Sequence, residues 1–290
     1  MIPASKLPAI DAHHHFWDPN TGDYPWMVGS VVPIRRVFTP DDMRPLLAPA
    51  GVQKTILVQT WSSLAESREF LALAQATDFI AGVVAWVDLT AADVGDVLDG
   101  LLAGPGGKWL VGIRHQVHDE ADPRWLCRPD VRRGLRAVQA RGLVYDLLIR
   151  PREMGAALET VQALPDLRFV IDHIAKPEIA KNGFERWAKL MKPFGTQAQV
   201  WCKLSGMVTE ADWATWTPQQ ITPYIMEVIE IFGPHRCMMG TDWPVSLLAS
   251  DYQCTVDLVR DAIAGLEEAA QAAVLWGSAA EAYRLNMGRL

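Results

Sequence analysis

Three consecutive histidines, His13, His14 and His15, follow an apolar lead-in near the start of the chain. Side chains of an extended strand alternate between its two faces, so we expect His13 and His15 on one face and His14 on the other. Asp11 is expected to share the face of His13 and His15 and to orient one of their rings. Two imidazoles side by side on a rigid strand form half of a site for a divalent cation or for a polarised carbonyl group. A surface cluster or a tag remnant is the alternative, but it does not fit the strand pattern around the triplet.

The composition indicates one globular enzyme-sized domain. The chain has 290 residues, half of them apolar, which is enough for one large core and is typical of a single α/β barrel. The net charge is −7 and the Lys and Arg residues are scattered, which argues against a nucleic-acid surface. We find no stretch long enough to span a membrane and no apolar run typical of a signal peptide in Met1–Lys6. Four cysteines without a CxxC pair predict reduced thiols and a cytoplasmic protein.

Short apolar runs alternate with helical patterns along the whole chain, which indicates repeated βα units around a parallel sheet. Thr217-Pro218-Gln219-Gln220 predicts a helix start and Gly233-Pro234 predicts its end. Eight such units predict a single-domain (β/α)8 barrel over residues 1–290. A doubly wound sheet is the competing fold, but it would carry a glycine-rich turn after the first strand, where this chain has histidines. The predicted strands are Ala9–His15, Thr55–Gln59, Ile80–Val87, Leu110–Arg114, Val144–Ile149, Arg168–Ile171, Val200–Leu204 and Cys237–Gly240.

The stretch between the first two strands, from Asp18 to Pro40, is rich in proline, glycine and aromatic residues. It is too long for a plain connection, so we predict a lid or a binding loop.

In a parallel barrel the active site lies at the carboxyl ends of the strands, and polar residues stand at nearly all of the predicted ends. The most specific set is His13, His15, His173 and Asp242. These side chains could bind one divalent ion that keeps a position open for water. Alternatively, the histidines polarise a carbonyl group while Asp242 takes a proton from water. The structural alternatives are a helix-cap histidine at His173 and an N-cap at Asp242.

Two cations, Arg114 and Lys203, lie in predicted buried strands. They suit a carboxylate, a ring oxygen or a developing oxyanion of a substrate. The alternative is an ion pair with Asp146, Asp172 or Asp242. Further side chains at the strand ends are interpreted as substrate-binding, and they are Gln59, His115, Trp17, Trp61 and Trp243.

Several segments together resemble the amidohydrolase superfamily, and most of all its branch of sugar-lactone hydrolases. They are Asp11-Ala12-His13-His14-His15-Phe16-Trp17, Gly82-Val83-Val84-Ala85-Trp86-Val87-Asp88-Leu89, Gly112-Ile113-Arg114-His115, Asp172-His173-Ile174-Ala175-Lys176-Pro177, Lys203-Leu204-Ser205-Gly206 and Gly240-Thr241-Asp242-Trp243-Pro244-Val245. The resemblance implies a (β/α)8 barrel in which His13 and His15 are the first-strand pair, His173 the sixth-strand histidine and Asp242 the eighth-strand aspartate. Binuclear members carry a carboxylated Lys and a His where this chain has Arg114 and Tyr145-Asp146. The resemblance therefore implies one divalent cation, zinc or manganese, or none.

The expected activity is hydrolysis of a lactone, a sugar aldono-lactone above others, with Asp242 as the general base. The expected partner is this small-molecule lactone, and a homo-oligomeric state is left open. One alternative is a metal-dependent decarboxylase of an aromatic or enolic acid. The other is a non-catalytic barrel that only binds a sugar acid.

Overall fold

The structure is a computed structural model that describes residues 7–285, so the expectation about Met1–Lys6 lies outside the described residues. Over this range eight strands form one parallel sheet in which each strand pairs with the next along the chain. The sheet closes because Asp242 N donates to His13 O at 2.7 Å and His15 N donates to Trp243 O at 2.7 Å. The predicted (β/α)8 barrel is confirmed. Its strands are β1 Ala9–His14, β2 Val52–Val58, β3 Ile80–Ala85, β4 Leu110–His115, β5 Val144–Leu147, β6 Phe169–Ile171, β7 Val200–Leu204 and β8 Cys237–Met239.

Helices follow the strands and cover the outside of the barrel. A capping box between Thr217 and Gln220 and a proline at Pro218 begin the longest of them, which ends at Phe232 before Gly233, as the sequence predicts. The α-helices are α1 Pro40–Leu47, α2 Leu64–Ala76, α3 Val94–Ala103, α4 Pro129–Ala140, α5 Met154–Ala163, α6 Phe184–Gly195, α7 Met207–Glu210, α8 Pro218–Phe232, α9 Tyr252–Ile263, α10 Glu268–Ala272 and α11 Ser278–Ala282. None of the helices in residues 7–285 is both long and apolar enough to cross a bilayer.

Some strand boundaries differ from the predicted ones, because pairing with the neighbouring strand sets where a strand begins or ends. The predicted strand Val144–Ile149 ends at Leu147, because Leu147 pairs with Ile171 and β6 stops there. The second strand begins earlier than expected, at Val52, because Val52 pairs with Ala9 of β1.

The segment from Asp18 to Pro40 is closed at its base and forms one side of the barrel mouth. Trp17 and Phe38 form a two-way backbone bridge, with N–O distances of 3.3 and 3.0 Å. A 3-10 helix, Gly29–Ile34, runs between these anchors. The long connection therefore has fixed ends and carries residues to the carboxyl ends of the strands.

Candidate active site

The first strand places His13 and His15 together at the mouth of the barrel and turns His14 away, as predicted. His14 Nε2 lies 2.8 Å from Oγ1 of Thr55. The expectation for Asp11 is wrong, because its pairing with β2 shifts register between Asp11 and His14 and interrupts the alternation. Asp11 instead accepts from His13 N and from both the backbone N and the hydroxyl of Thr241.

Three ligand-type atoms of the predicted cluster lie within contact distance of one another. Nε2 of His13 lies 3.2 Å from Nε2 of His15. Oδ1 of Asp242 lies 3.3 Å from Nε2 of His15 and 3.8 Å from Nε2 of His13. Nε2 of His173 borders the cluster, 3.7 Å from the same oxygen. The four predicted side chains therefore meet at one point.

Three ligand atoms in this arrangement fit one divalent cation. Ligands bound to zinc at about 2.0–2.1 Å in a tetrahedron stand about 3.4 Å apart, close to the spacing of His13, His15 and Asp242. Nδ1 of His15 lies 2.7 Å from the carbonyl oxygen of Val58. Since a carbonyl can only accept, Nδ1 is the donor, and Nε2 of His15 therefore carries a lone pair. The cluster thus combines a nitrogen lone pair, a second imidazole nitrogen and a carboxylate at this spacing. This donor set is suited to bind a divalent cation.

His173 reaches the cluster from an uncommon backbone turn. Residues His173, Ile174, Ala175 and Lys176 have positive φ angles of 52°, 47°, 59° and 48°. Left-handed backbone costs roughly 1–2 kcal/mol for each residue with a Cβ, so the surrounding structure must hold the turn. Trp187 Nε1 donates to Ile174 O at 2.7 Å. Strain of this kind is typical of functional sites, and here it directs the side chains of His173 and Lys176 to the cavity.

Burial keeps the three imidazoles of the cluster neutral. It lowers the pKa of His15, and it lowers the pKa of His13 and of His173 well below the ordinary value. Burial raises the pKa of the Asp242 carboxyl, but the neighbouring groups, among them the ammonium group of Lys176, bring it below the ordinary value. At neutral pH the site holds neutral imidazoles beside an ionised carboxylate, which is the state required both to bind a cation and to accept a proton.

Beneath the cluster lies a buried group of charges from β4, β5, β7 and the turn after β6. Lys203 Nζ lies 2.6 Å from Oδ2 of Asp146 and 2.9 Å from Oδ1 of Asp172, and its side chain has no exposed area. Arg114 donates to Oδ2 of Asp172 at 3.0 Å. Arg114 also donates to the backbone and side-chain oxygens of Gln59. Lys203 and Gln59 lie below the cavity floor, whereas Arg114 reaches the cavity. The ion pairs that the sequence left as an alternative for Arg114 and Lys203 are therefore present.

Above the cluster a cavity of about 460 Å³ opens to solvent. Its floor includes His15, His173, Arg114 and Asp242. Its rim combines an ion pair, Lys176 Nζ to Oε1 of Glu210 at 2.9 Å, with side chains that can stack or pack. The cavity-lining side chains beyond the floor are Trp26, Val31, Thr60, Gln116, His118, Asp119, Leu148, Arg150, Lys176, Thr209, Glu210, Trp213, Val245 and Leu248.

Four residues interpreted from the sequence as substrate-binding lie away from this cavity. Trp17 donates from Nε1 to Ile34 O at 3.2 Å, and it lines a separate cavity of about 260 Å³ together with Trp61. Trp243 is buried against the ring of Phe38, with centroids 5.2 Å apart. His115 follows Arg114 in β4 and so faces outward, where its ring stacks on Trp125.

The aromatic walls of the cavity come instead from Trp26 and Trp213, which sequence reasoning missed. Both lie in connections between regular elements, so no strand pattern pointed to them. Lys176 was also missed, although its place three residues after His173 in a segment flanked by Pro177 was a usable signal.

Comparison with known proteins identifies the family. The family model described as amidohydrolase matches residues 10–285. The chain is 38% identical over 247 residues to an L-fucono-1,5-lactonase of Burkholderia ambifaria, covering 84% of this chain and 82% of the relative. It is 35% identical to an L-fucono-1,5-lactonase of Burkholderia multivorans, covering 95% and 96% of the two chains. A crystal structure of an amidohydrolase from Burkholderia multivorans with bound zinc superposes with a TM-score of 0.91 at 33% identity, covering 96% of this chain and all of that chain. The chain therefore belongs to the amidohydrolase family.

Proposed function

We propose that this chain is a hydrolase that opens the lactone ring of a sugar acid by attack of water on the ester carbonyl. The observation that carries the proposal is the meeting of His13, His15, His173 and Asp242 beneath a cavity of about 460 Å³. This volume is within the range of about 300–1,000 Å³ found for small-molecule sites. Relatives that are 35–38% identical over most of the chain are named lactonases of a sugar acid, which supports this substrate class.

Asp242 is the proposed general base. Its carboxylate is ionised at neutral pH, lies at the cavity floor and can take a proton from a water molecule above the lactone carbonyl. The water oxygen then forms a bond to the carbonyl carbon, and the bond from that carbon to the ring oxygen breaks. The released ring oxygen takes up the proton, and the product is a hydroxy acid.

In this proposal His173 and Arg114 face the reacting carbonyl from the cavity floor, and His13 and His15 act on it as ligands of a cation. His13, His15 and Asp242 would hold a divalent cation, zinc or manganese, which when bound supplies Lewis-acid polarisation of the carbonyl and lowers the pKa of water. Nδ1 of His173 is fixed by the hydroxyl of Ser205 at 2.9 Å, so Nε2 faces the cavity. Arg114 offers a permanent cation beside the same point for the developing oxyanion.

The rim of the cavity suits a polyhydroxylated ring. Lys176 and Glu210 can donate to and accept from neighbouring hydroxyl groups, and Trp26 and Trp213 can pack against the faces of the ring. We therefore propose these four residues as substrate-binding, together with Arg114, and we place Gln59 and Lys203 in the support of the floor.

Two alternative functions are less supported. A decarboxylase of an aromatic or enolic acid would release carbon dioxide and no acid. A non-catalytic sugar-acid-binding barrel would not require an ionised carboxylate beside three neutral imidazoles. We also propose a cytoplasmic location, because the four cysteines are free thiols in the structure. A homo-oligomer stays a prediction, to be tested by sedimentation.

The test is acid release, followed with a pH indicator, from fucono-, rhamnono-, galactono- and arabino-lactones. Turnover of at least one of them with ordinary enzymatic efficiency is the expected result. Absence of acid release from the whole panel, together with carbon dioxide release from an aromatic acid, would replace this proposal by the decarboxylase. Binding of the lactones without turnover would replace it by the binding barrel.

A further inference from the structure

The ring of His13 has one hydrogen-bond donor and one acceptor close to each of its two nitrogens. Nδ1 lies 3.3 Å from Nζ of Lys203, which can only donate, and 3.3 Å from Oδ1 of Asp172, which can only accept. Nε2 lies 3.2 Å from Nη1 of Arg114, which can only donate, and 3.2 Å from Nε2 of His15. Since Nδ1 of His15 donates to Val58 O, its Nε2 can accept. Four partners at nearly equal distances surround one buried ring.

Each of the two neutral tautomers of His13 is therefore provided with partners. With the proton on Nδ1, that nitrogen lies 3.3 Å from Oδ1 of Asp172, a buried acceptor that has no hydrogen bond within the described residues. The lone pair of Nε2 then accepts from Arg114 or binds a cation. With the proton on Nε2, the ring donates to His15, and Nδ1 accepts from Lys203. The cation-binding cluster needs the lone pair of Nε2, so it needs the first tautomer.

Lys203 and Asp172 act on this choice in opposite directions. A donor at Nδ1 favours the tautomer that cannot bind a cation through Nε2, and its positive charge also repels a cation. A carboxylate at Nδ1 favours the binding tautomer and makes the ring a better ligand. Neither residue lines the cavity, so neither touches a substrate there.

We propose that Lys203 and Asp172 are paired positioning residues that set the tautomer of His13 and thereby tune how tightly His13, His15 and Asp242 bind a divalent cation. The inference concerns the same cluster as the proposed function and deepens it. Its test measures cation binding and the protonation pattern of one ring, and neither measurement involves lactone turnover, so the two proposals can fail separately.

The buried surroundings explain why both charges persist there. Nζ of Lys203 donates to Oδ2 of Asp146 at 2.6 Å, and the hydroxyl of Tyr283 donates to the same oxygen at 2.8 Å. Arg114 lies 3.0 Å from Asp172. Two buried cations thus face two buried carboxylates, which offsets the desolvation of each. If Lys203 and Asp172 served stability alone, they would not both need to lie beside Nδ1 of His13.

The binding test titrates zinc into chelator-treated full-length chain, with a competing chelator as the reporter. The Lys203→Met, Asp146→Asn double variant removes one buried cation and one buried anion, so the balance of charge is kept. We expect it to tighten zinc binding at least about 10-fold, whereas Asp172→Asn should weaken it by about 10–100-fold, the range for partners of metal ligands. Tyr283→Phe is the matched control, because it changes the same network at Asp146 without touching His13, and it should leave the affinity unchanged.

The second measurement reads the tautomer directly from ¹⁵N chemical shifts of ring-labelled histidines, with His13 assigned by loss of its signal in His13→Gln. In the wild-type chain without zinc we expect intermediate shifts for the two nitrogens, and zinc should shift them to the Nδ1–H pattern. In the double variant the Nδ1–H pattern should be present before zinc is added.

Opposite changes in affinity together with this shift pattern would support the proposal. Weaker zinc binding in both variants, or identical His13 shifts in the wild type and the double variant without zinc, would overturn it. If Asp172→Asn does not fold, the affinity and the shifts of the double variant decide alone.

Discussion

Gly206 lies directly against the ring of His173. A Cβ atom at Gly206 would stand 2.5 Å from Nδ1 and 2.7 Å from Cγ of that ring, and Gly206 has a φ of +66°. No real Cβ fits at such a distance, and left-handed backbone is disfavoured for every residue except glycine. The glycine that follows β7 therefore lets His173 occupy its place at the cluster.

Gly206→Ala should displace His173 and lower kcat by at least about 10-fold, because a catalytic group moved by about 1 Å costs up to about 100-fold in rate. The measurement is kcat on the best lactone of the panel. Gly155→Ala in α5 is the control, since a Cβ there meets nothing within 4 Å and Ala favours a helix. Unchanged turnover in Gly206→Ala would show that the position of His173 does not matter for the reaction.

Zinc should stabilise the chain through His13, His15 and Asp242. A ligand that binds only the folded state at about 100 times its Kd adds about 2.7 kcal/mol to the free energy of unfolding. Removal of the ion by a chelator should therefore lower Tm, and added zinc should restore it. His15→Gln should abolish the restoration, while His118→Gln, which changes a histidine at the rim, should keep it. An equal response of both variants would refute the assigned ligands.

Lys176→Met should raise KM by about 10-fold and change kcat less than threefold. Lys176 lies at the rim beside Glu210 and not at the reacting carbonyl, so its loss removes binding that the substrate and the transition state share. Steady-state kinetics check this expectation. Lys181→Met, at an exposed lysine paired with Glu178, is the control and should change neither constant. A fall in kcat without a change in KM would place Lys176 in the chemistry instead.

Glu66 should make the chain less stable as the pH rises from about 5 to 8. Burial raises the pKa of its carboxyl to about 7, although hydrogen bonds from Thr60 and Trp61 act in the opposite direction. Because the folded-state pKa lies above the unfolded-state value of 4.5, the folded state binds the proton more tightly. The resulting stability is fully present below about pH 4.5 and is lost as the pH rises through about 7.

The size of this effect is about 3 kcal/mol, at 1.36 kcal/mol for each unit of pKa difference. Urea unfolding at pH 5 and pH 8 measures it as the difference between the wild type and Glu66→Gln, since other buried groups contribute equally to both. Glu69→Gln, which changes an exposed carboxylate of the same helix α2, is the control for the removal of one charge from this helix. If the difference in unfolding free energy between the wild type and Glu66→Gln is the same at pH 8 as at pH 5, the raised pKa of Glu66 is contradicted.

The barrel and the residues of the cluster can be predicted from the sequence, because both follow from patterns of neighbouring residues along the chain. Alternation along β1 separates His14 from His13 and His15, and carboxyl ends of parallel strands meet at one rim, where His173 and Asp242 also lie. These expectations depend on the period of a strand and on the direction of the sheet, which are both readable along the chain.

The remaining parts of the site depend on contacts that no local pattern contains. Asp11 turns away from the cluster because of a register shift that its pairing with β2 creates. Lys203 is covered because β5 and β6 bring Asp146 and Asp172 against it. Trp26 reaches the cavity on an irregular connection, whose path is set by packing and not by periodicity.

The most direct test of lactone hydrolysis at this cluster compares acid release from L-fucono-1,5-lactone by the wild type, Asp242→Asn and Asp119→Asn. We expect Asp242→Asn to fold normally and to have a kcat at least about 100-fold below the wild-type value, the scale of a lost general base. Asp119→Asn, which changes an aspartate at the cavity rim, should keep its kcat. Near-normal turnover by Asp242→Asn would contradict the role of Asp242 as the general base.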